Sequence, residues 1–403
     1  MPLGCYVHIP FCAGGKCPYC AFYSIPYDKE FSNSYVDSAI AQISRECVSE
    51  VDTLYFGGGS PTSLNTEQLR TLLGGAIEKI ELSASSEITV EASPETLQAE
   101  KITLLKELGV GRLSIGLQSL SNSVLCMLGR RHDSDCAKRA VASAVEKGMA
   151  ISIDLIYGVP GQTFAQWDES LEYAINCGAE HVSLYCLSYE PGTLFTKRLA
   201  DGVLSQMDES TEKRMFFRAV DMLGGEGLEH YELSSFARKG KRSRHNMKYW
   251  LGEGYYGIGV GAHGYSPGPP EWTRYSNISD VSAYIEGINR FGDVREVYEK
   301  LGLYQRAEEF LLLNLRLIEG FDIADIRRCL AGIEPDELIK TLSPLVEKGY
   351  LSNRAGRIAI PEEMLFVSDG VILEAANAIE AYIKNISPDE EAGEIFNRRK
   401  IEI

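Results

Sequence analysis

The chain has 403 residues, 44% of them hydrophobic, which is enough for a large globular core and a smaller second domain. No apolar run approaches the roughly 20 residues of a membrane-spanning helix, and the first residues do not resemble a signal peptide, so we expect a cytoplasmic protein without a transmembrane segment. The formal net charge of −17 disfavours nucleic acid as a partner, because a sequence-independent grip on phosphates needs clustered Lys and Arg.

Short β-branched or apolar runs alternate with amphipathic segments over the first half of the chain. Such alternation is typical of βα units, so we predict an α/β fold whose parallel sheet curves into a partial barrel. The predicted strands are residues 3–9, 51–56, 87–91, 112–117, 150–156 and 181–187. The predicted helices lie near residues 33–47, 65–80, 95–108, 135–147 and 164–177.

The alternation loosens after residue 187, where a helix near 208–224 and a glycine-rich stretch at 252–268 follow. From about residue 300 the pattern is helical and then reaches a short turn at 354–357, which is typical of a small winged-helix-like lobe. The expected division is a barrel with its extension at 1–265, a connecting segment at 266–300, a mostly helical winged-helix-like domain at 301–386 and a polar tail at 387–403.

Three closely spaced cysteines, Cys12, Cys17 and Cys20, follow the first predicted strand. A structural zinc site takes four ligands, whereas a [4Fe-4S] cluster held by three cysteines leaves one iron free for a small molecule. With ten cysteines in the chain, ordinary thiols in a reducing compartment are the alternative. The loop also contains Gly14 and Pro18, so it can fold back on itself, and metal binding is the favoured interpretation.

Polar residues cluster where the predicted strands end. A glycine run at 57–61 follows the second strand, Glu91 and Gln118 close the next two, and Asp154 lies within the fifth. In α/β barrels the C-terminal ends of the strands carry the site, so these groups should share one mouth with the cysteine loop. Arg130 can pair with the carboxylates in a structural role, or the same groups can hold an amino acid and a ribose, and the two interpretations are compatible.

The segment from His245 to Trp250 places an imidazole and two aromatic rings within six residues. Imidazole is a common heme-iron ligand, and flat rings suit a porphyrin face. A histidine beside Tyr and Trp is more often a hydrogen-bonded core or surface residue, and spacing alone favours that reading. The same applies to His263.

Taken together, these motifs resemble the radical S-adenosylmethionine (SAM) family that includes oxygen-independent coproporphyrinogen III oxidase, and most closely its HemW heme-chaperone branch. The matching stretches are 6–22, 55–61, 91–94, 112–119, 128–132, 154–163, 181–193, 231–250 and 256–263, with looser matches at 304–320 and 338–351.

The resemblance implies that Cys12, Cys17 and Cys20 hold a [4Fe-4S] cluster whose fourth iron is chelated by SAM, which one electron would cleave to a 5′-deoxyadenosyl radical. It also implies contacts with SAM, and a candidate heme ligand in His245. The implied SAM contacts are Tyr6, Tyr19, Gly58, Gly59, Ser60, Glu91, Gln118, Arg130 and Asp154.

Two features separate the branches of this family. The oxidase carries a fourth cysteine two residues after the third, where this chain has Phe22, and it has a longer segment before the cluster than the eleven residues that precede Cys12. We therefore expect a heme chaperone that hands heme to an acceptor protein and receives electrons from a donor, with the oxidase as the alternative. The acidic balance disfavours a third class, a tRNA- or protein-modifying radical enzyme. This chain departs from the family in having four residues, not three, between Cys12 and Cys17.

Overall fold

A computed structural model of the protein describes residues 2–268, 270–386 and 395–397. Its strands are β1 (Leu3–Ile9), β2 (Phe11–Cys12), β3 (Ile25–Pro26), β4 (Val51–Gly58), β5 (Leu82–Ala92), β6 (Arg112–Gln118), β7 (Ala150–Tyr157), β8 (His181–Cys186), β9 (Glu229–Glu232), β10 (Ser235–Ala237), β11 (Tyr255–Ile258), β12 (His263–Ser266), β13 (Thr273–Asn277), β14 (Arg295–Lys300), β15 (Ser352–Arg354), β16 (Arg357–Ala359) and β17 (Ile395–Asn397). Its α-helices are α1 (Lys29–Glu46), α2 (Thr66–Lys79), α3 (Ala99–Glu107), α4 (Asn122–Met127), α5 (Ser134–Glu146), α6 (Phe164–Asn176), α7 (Leu194–Ala200), α8 (Glu209–Gly225), α9 (Arg244–Trp250), α10 (Val281–Arg290), α11 (Leu303–Asn314), α12 (Ile323–Cys329), α13 (Pro335–Glu347) and α14 (Ser368–Ile386).

Six parallel strands form the partial barrel, in the order β1, β4, β5, β6, β7 and β8. The register between β1 and β4 sets Tyr6 opposite Tyr55 and Ile9 opposite Gly58. Helices α1, α2, α3, α5 and α6 lie between successive strands of this order. The prediction of an α/β partial barrel with six strands is therefore confirmed.

The helices between the barrel strands begin at side chains that satisfy the free N–H groups of a first turn. Asn65 caps α2 and forms a reciprocal capping box with Gln68, and Thr163 does the same for α6 with Gln166. Their apolar faces pack on strands whose residues are buried on both sides of the sheet, which is why the strand segments read as continuous apolar runs.

The sheet continues beyond the barrel on both sides. β11 pairs in parallel with β1 and is followed by antiparallel β12, β13, β14 and β17, while β10 and β9 extend the sheet from β8. Of the predicted polar tail at 387–403, only residues 395–397 are described, and they pair with β14. The remainder of that prediction lies outside the described residues.

The C-terminal lobe consists of α11, α12 and α13, the two-stranded hairpin β15–β16, and α14. Its chain joins the barrel side through backbone hydrogen bonds, from Leu233 N to Arg316 O at 3.0 Å and from Ile318 N to Tyr231 O at 3.1 Å. Buried apolar residues of the barrel and of this lobe form one contiguous core. Across the described ranges, no helix is both long and apolar enough to cross a membrane.

Candidate functional site

The cysteine loop is closed at its base by two short parallel strands. Cys12 in β2 lies opposite Pro26 in β3, and the N–H of Tyr27 donates to the carbonyl of Cys12 at 3.1 Å. The N–H of Ala13 donates to Oγ of Ser63 at 3.0 Å, which ties the loop to the turn after β4. The three cysteines, Cys12, Cys17 and Cys20, are partly buried free thiols on this one closed loop.

The additional residue between Cys12 and Cys17 is accommodated by a turn at Gly15. Gly15 has φ of 88°, and its N–H donates to the carbonyl of Cys12 at 3.3 Å. A Cβ at this position would meet no atom within 4 Å, so the turn points into open space. Arg131 lies across the preceding Gly14, where a Cβ would come within 1.8 Å of the guanidinium.

The thiols influence one another electrostatically. Burial raises the pKa of Cys12, and the charges of Cys17 and Cys20 raise it further, while Arg130 opposes the shift. Burial likewise raises the pKa of Cys20, with Cys17 adding to it. The guanidinium of Arg130 donates from Nη1 to Sγ of Cys17 at 3.6 Å and from Nη2 to the carbonyl of Gly116 at 3.1 Å. Its buried Nε has no hydrogen-bond partner among the described residues.

This donor set suits an iron–sulfur cluster better than a single ion. Among the residues that the structure describes, no three His, Cys, Asp or Glu side chains converge tightly enough to hold one metal ion. A single zinc ion needs sulfur ligands about 2.3 Å away, whereas a four-iron cube carries its thiolates on separate iron atoms and hence further apart. Three thiols on one loop beside a buried cation fit the second case.

The glycine run after β4 approaches β1 and the start of the cysteine loop closely. Gly58 has φ of 113°, and a Cβ there would lie 2.6 Å from the imidazole of His8. A Cβ on Gly59 would lie 2.7 Å from the carbonyl oxygen of Phe11. That same carbonyl accepts a 2.8 Å hydrogen bond from the N–H of Ser60, which is buried. The glycines are needed here for close backbone packing as well as for any ligand.

Glu91, at the end of β5, is held by two donors from β4. Its Oε1 accepts from the phenol of Tyr55 at 2.8 Å, and its Oε2 accepts from the N–H of Gly58 at 3.0 Å. Burial raises the pKa of Glu91 to about 7, while the Tyr55 hydrogen bond lowers it and the charge of Asp154 raises it. Both oxygens of Asp154 accept from Oγ of Ser114 at 3.1 Å, and burial raises the pKa of Asp154 to about 6. The mouth thus holds two carboxyl groups that change charge near neutral pH.

Three further predicted site residues lie around this mouth. Gln118 at the end of β6 has φ of 65°, a left-handed conformation that a non-glycine residue adopts at a cost of about 1–3 kcal/mol. The ring of Tyr19 packs edge-on against Phe195, with centroids 6.1 Å apart, and burial raises its pKa. The phenol of Tyr6 lies 3.0 Å from Nδ1 of His8. Tyr55, His8 and Ser114 take part in these contacts but were not among the predicted site residues.

His245 is buried and uses both ring nitrogens within the core. Nδ1 lies 2.9 Å from Oγ1 of Thr53 and Nε2 lies 2.8 Å from the phenol of Tyr249, while the ring stacks on Tyr55 at 5.0 Å. Its exposed fraction is 1%, and burial lowers its pKa to about 3. This geometry favours the structural interpretation and leaves no nitrogen of His245 free for heme iron. Of the six histidines, all within the described residues, His263 alone is exposed.

Family models match both parts of the chain. Residues 6–174 match the model of the Radical SAM superfamily, and residues 301–366 match the HemN C-terminal domain. The chain is 35% identical over 369 residues to the heme chaperone HemW of Bacillus subtilis, covering 89% of this chain and 95% of the relative. The chain belongs to the HemW family of radical SAM proteins.

A second HemW relative, from Escherichia coli, is 32% identical over 373 residues, covering 90% of this chain and 94% of the relative. The structure is also similar to that of the coproporphyrinogen III oxidase HemN from Escherichia coli. The TM-score is 0.79 at 21% sequence identity, covering 93% of this chain and 90% of that chain. At that identity the likeness concerns the fold, which it confirms as the radical SAM fold with a helical C-terminal domain.

Proposed function

We propose that this protein is a heme chaperone that binds heme and passes it to an acceptor protein. The observation that carries the proposal is the 35% identity to a HemW heme chaperone along 89% of the chain. The three-thiol loop beside the carboxylate-lined mouth supports a [4Fe-4S] cluster and SAM as its cofactors. We also propose that the protein is cytoplasmic and that it receives electrons from a donor. The proposed domain boundaries lie at about residues 265, 300 and 386.

In this proposal Cys12, Cys17 and Cys20 ligate the cluster, and Arg130 sets a buried cation beside their sulfurs. When bound, the cluster and SAM supply one-electron chemistry. Glu91 and the backbone of the glycine run hold the amino-acid part of SAM.

The remaining proposed contacts surround the rest of the SAM molecule. Asp154 is suited to the ribose hydroxyls because a carboxylate accepts from O–H donors, and Tyr19 offers a ring face to the adenine. The proposed SAM contacts are Tyr6, Tyr19, Gly58, Gly59, Ser60, Glu91, Gln118, Arg130 and Asp154.

For heme, exposure points to His263 as the histidine that can reach an iron from outside. It lies in β12 opposite Ser276, and the buried part of its ring lowers its pKa, with the charge of Arg274 adding to the effect. Imidazole ligates iron in its neutral form, so a lowered pKa favours ligation. His245 remains the alternative ligand only if α9 moves, because both of its nitrogens are bonded in the core.

The test is a heme titration of the anaerobically reconstituted protein, followed by mixing with a heme-accepting apoprotein. We expect a saturable Soret band and its transfer to the acceptor. In parallel, the protein is incubated with SAM, a low-potential reductant and coproporphyrinogen III, and deoxyadenosine and porphyrins are quantified in one chromatogram. Protoporphyrinogen formed in step with deoxyadenosine would instead assign the oxidase activity.

A further inference from the structure

A line of aromatic rings leads from the mouth of the barrel toward the C-terminal lobe. Tyr6 stacks on Tyr55 with ring centroids 6.1 Å apart, and Tyr55 stacks on His245 at 5.0 Å. His245 meets Tyr249 at 5.1 Å, and Tyr249 meets Tyr255 edge-on at 4.6 Å. No step in this part of the line exceeds 6.1 Å between centroids.

The line ends at Tyr265, whose ring lies 6.4 Å from that of Tyr255. Tyr265 is partly exposed on β12, next to exposed Ser266. The two ends of the line therefore differ: Tyr6 lies at the proposed SAM site, and Tyr265 lies where a dissolved molecule can reach it.

Each of the three inner phenols has a base at hydrogen-bond distance. Tyr6 lies 3.0 Å from Nδ1 of His8, Tyr55 donates to Oε1 of Glu91 at 2.8 Å, and Tyr249 lies 2.8 Å from Nε2 of His245. A tyrosine is oxidised most readily when a neighbouring base takes its phenolic proton as the electron leaves, since a cationic phenol radical in a buried site is costly.

The proton donor and acceptor of the first pair follow from its surroundings. Nε2 of His8 lies 3.0 Å from the carbonyl of Tyr23, which only accepts, so Nε2 carries the proton and Nδ1 accepts from Tyr6. Burial lowers the pKa of His8 to about 4 and that of His245 to about 3, so both rings are neutral and able to take a proton at pH 7.

Packing alone does not require these hydroxyl groups. Phenylalanine would fill nearly the same volume without adding a buried hydroxyl that must find a partner. Three successive phenols, each matched with a base, instead form a repeated donor–acceptor arrangement along one path.

We propose that Tyr6, Tyr55, Tyr249, Tyr255 and Tyr265, with the His245 ring between the second and third, conduct an oxidising equivalent from the mouth of the barrel to the surface. The relay would protect the site when a reactive carbon-centred radical is formed there without a substrate to consume it. This inference rests on the proposed SAM chemistry for its natural oxidant.

The first step is a hydrogen-atom transfer from Tyr6. The O–H bond of the Tyr6 phenol would break, its hydrogen would form a C–H bond on the oxidising carbon-centred radical, and Tyr6 would become a phenoxyl radical. An electron from Tyr55 then reduces Tyr6, which takes a proton from water in the barrel interior, while the proton of Tyr55 moves to Glu91. Tyr6 is only partly buried, so water can reach its phenol and supply this proton.

The later steps repeat this exchange outward. Tyr249 reduces Tyr55 and gives its proton to Nε2 of His245, and Glu91 returns its proton to Tyr55. Tyr255 then reduces Tyr249, to which His245 returns its proton, and Tyr265 reduces Tyr255. Tyr255 and Tyr265 are only partly buried, so water takes and returns the proton of Tyr255 and takes up the proton released at Tyr265. A dissolved thiol finally gives a hydrogen atom to Tyr265, so the net reaction converts the carbon radical and a thiol into a C–H product and a thiyl radical.

The test places a radical trap on the path. The full-length reconstituted protein carries Tyr255→3-aminotyrosine, or Tyr350→3-aminotyrosine as the control, because Tyr350 is 36% exposed and has no place in the line of rings. Each protein is mixed with SAM and reductant and frozen for electron paramagnetic resonance, and deoxyadenosine is counted in the same sample. We expect an aminotyrosyl radical at position 255 and none at 350. A second substitution, Tyr249→Phe, keeps the ring but removes the phenolic hydroxyl. It should lower the radical signal at position 255 at least about tenfold, because a proton-transfer step is lost. The amount of deoxyadenosine formed should not change. Equal signals at the two positions, or a signal that Tyr249→Phe leaves intact, would overturn the relay.

If no deoxyadenosine forms, the proposed SAM chemistry is contradicted but the relay is not. A second experiment then tests the relay without SAM. The protein with Tyr6→3-aminotyrosine is oxidised by hexachloroiridate(IV), an outer-sphere one-electron oxidant that acts from the surface. The relay predicts that oxidation of position 6 slows at least about tenfold in the Tyr249→Phe background. The same rate in both backgrounds would overturn it, and unchanged thermal midpoints confirm that both proteins are folded.

Discussion

Nη1 of Arg130 lies 3.6 Å from Sγ of Cys17, so the cysteine loop rests against a buried guanidinium. Burial lowers the pKa of Arg130, but the charges of Tyr19, Cys17 and Glu95 more than compensate and the net shift is upward. The group therefore stays positively charged beside the sulfurs. A fixed positive charge next to an iron–sulfur cluster favours its reduced, more negative form.

Replacing Arg130 by Gln should make the proposed cluster harder to reduce. We expect Arg130→Gln to move the midpoint potential to a more negative value, measured by redox titration with electron paramagnetic resonance. Arg139→Gln is the matched control, because Arg139 is an exposed arginine on α5. A potential that stays the same in Arg130→Gln would show that the guanidinium does not act on the cluster.

Removing any one of the three loop cysteines should abolish cluster binding. We expect Cys17→Ala to lose iron and acid-labile sulfide by about tenfold after anaerobic reconstitution, because a [4Fe-4S] cube cannot be held by two thiolates. Cys126→Ala is the control, since Cys126 is an exposed thiol on α4 outside the loop. Iron retained equally by both variants would mean that the loop is not the ligand set.

The barrel could be predicted from the sequence because buried parallel strands leave a continuous apolar signal. All six strand segments were found, with β5 starting five residues earlier and β4 ending two residues later than predicted. The extension from β9 to β14 could not be read in the same way. Its strands are short, and segments such as Tyr255–Ile258 and Thr273–Asn277 mix aromatic and polar residues without a clear period.

The sequence predicted which residues lie in the site better than it predicted the hydrogen bonds that they form. Glu91 was predicted from the end of a strand and Asp154 from within a strand, because residues near the C-terminal edge of a parallel barrel share one mouth. The sequence could not show that Tyr55 and the N–H of Gly58 already bind Glu91, since this depends on the register of two strands. The pattern around His245 was equally ambiguous, because spacing does not distinguish a ring bonded to Thr53 from one open to a ligand.

Glu91 should make the stability of the apoprotein depend on pH. Its pKa is raised from 4.5 to about 7, so between these values the folded state binds more protons than the unfolded state. The contribution of Glu91 to the free energy of unfolding should therefore be fully present below pH 4.5 and fall by up to about 3 kcal/mol as the pH rises to 7, while the buried histidines, whose pKa values are lowered, contribute in the opposite direction. Asp154 adds the same trend between pH 3.8 and about 6.

Comparison of Glu91→Gln with the wild type isolates the contribution of Glu91. The free energy of unfolding of Glu91→Gln minus that of the wild type should rise by up to about 3 kcal/mol between pH 4.5 and 7, as measured by urea denaturation across the pH range. The exposed Glu100→Gln serves as control and should keep the wild-type profile. A difference between Glu91→Gln and the wild type that stays constant from pH 4.5 to 7 would contradict the assignment.

His245 and His263 should give opposite results when each is replaced by Ala. His245→Ala leaves Thr53 Oγ1 and the Tyr249 phenol without their partner and opens a cavity beside Tyr55, so we expect a loss of about 2–4 kcal/mol in the free energy of unfolding. His263→Ala removes an exposed side chain and should change stability by less than about 0.5 kcal/mol.

Heme affinity should be reduced by replacing His263 and not by replacing His245. We expect His263→Ala to weaken heme binding by about tenfold with a changed Soret maximum, because an axial imidazole is lost. His245→Ala, measured at a temperature where it is folded, should keep the wild-type Soret maximum, because its ring nitrogens already bond within the core. If instead His245→Ala is folded and loses the heme spectrum while His263→Ala binds normally, then α9 must open on heme binding to release His245.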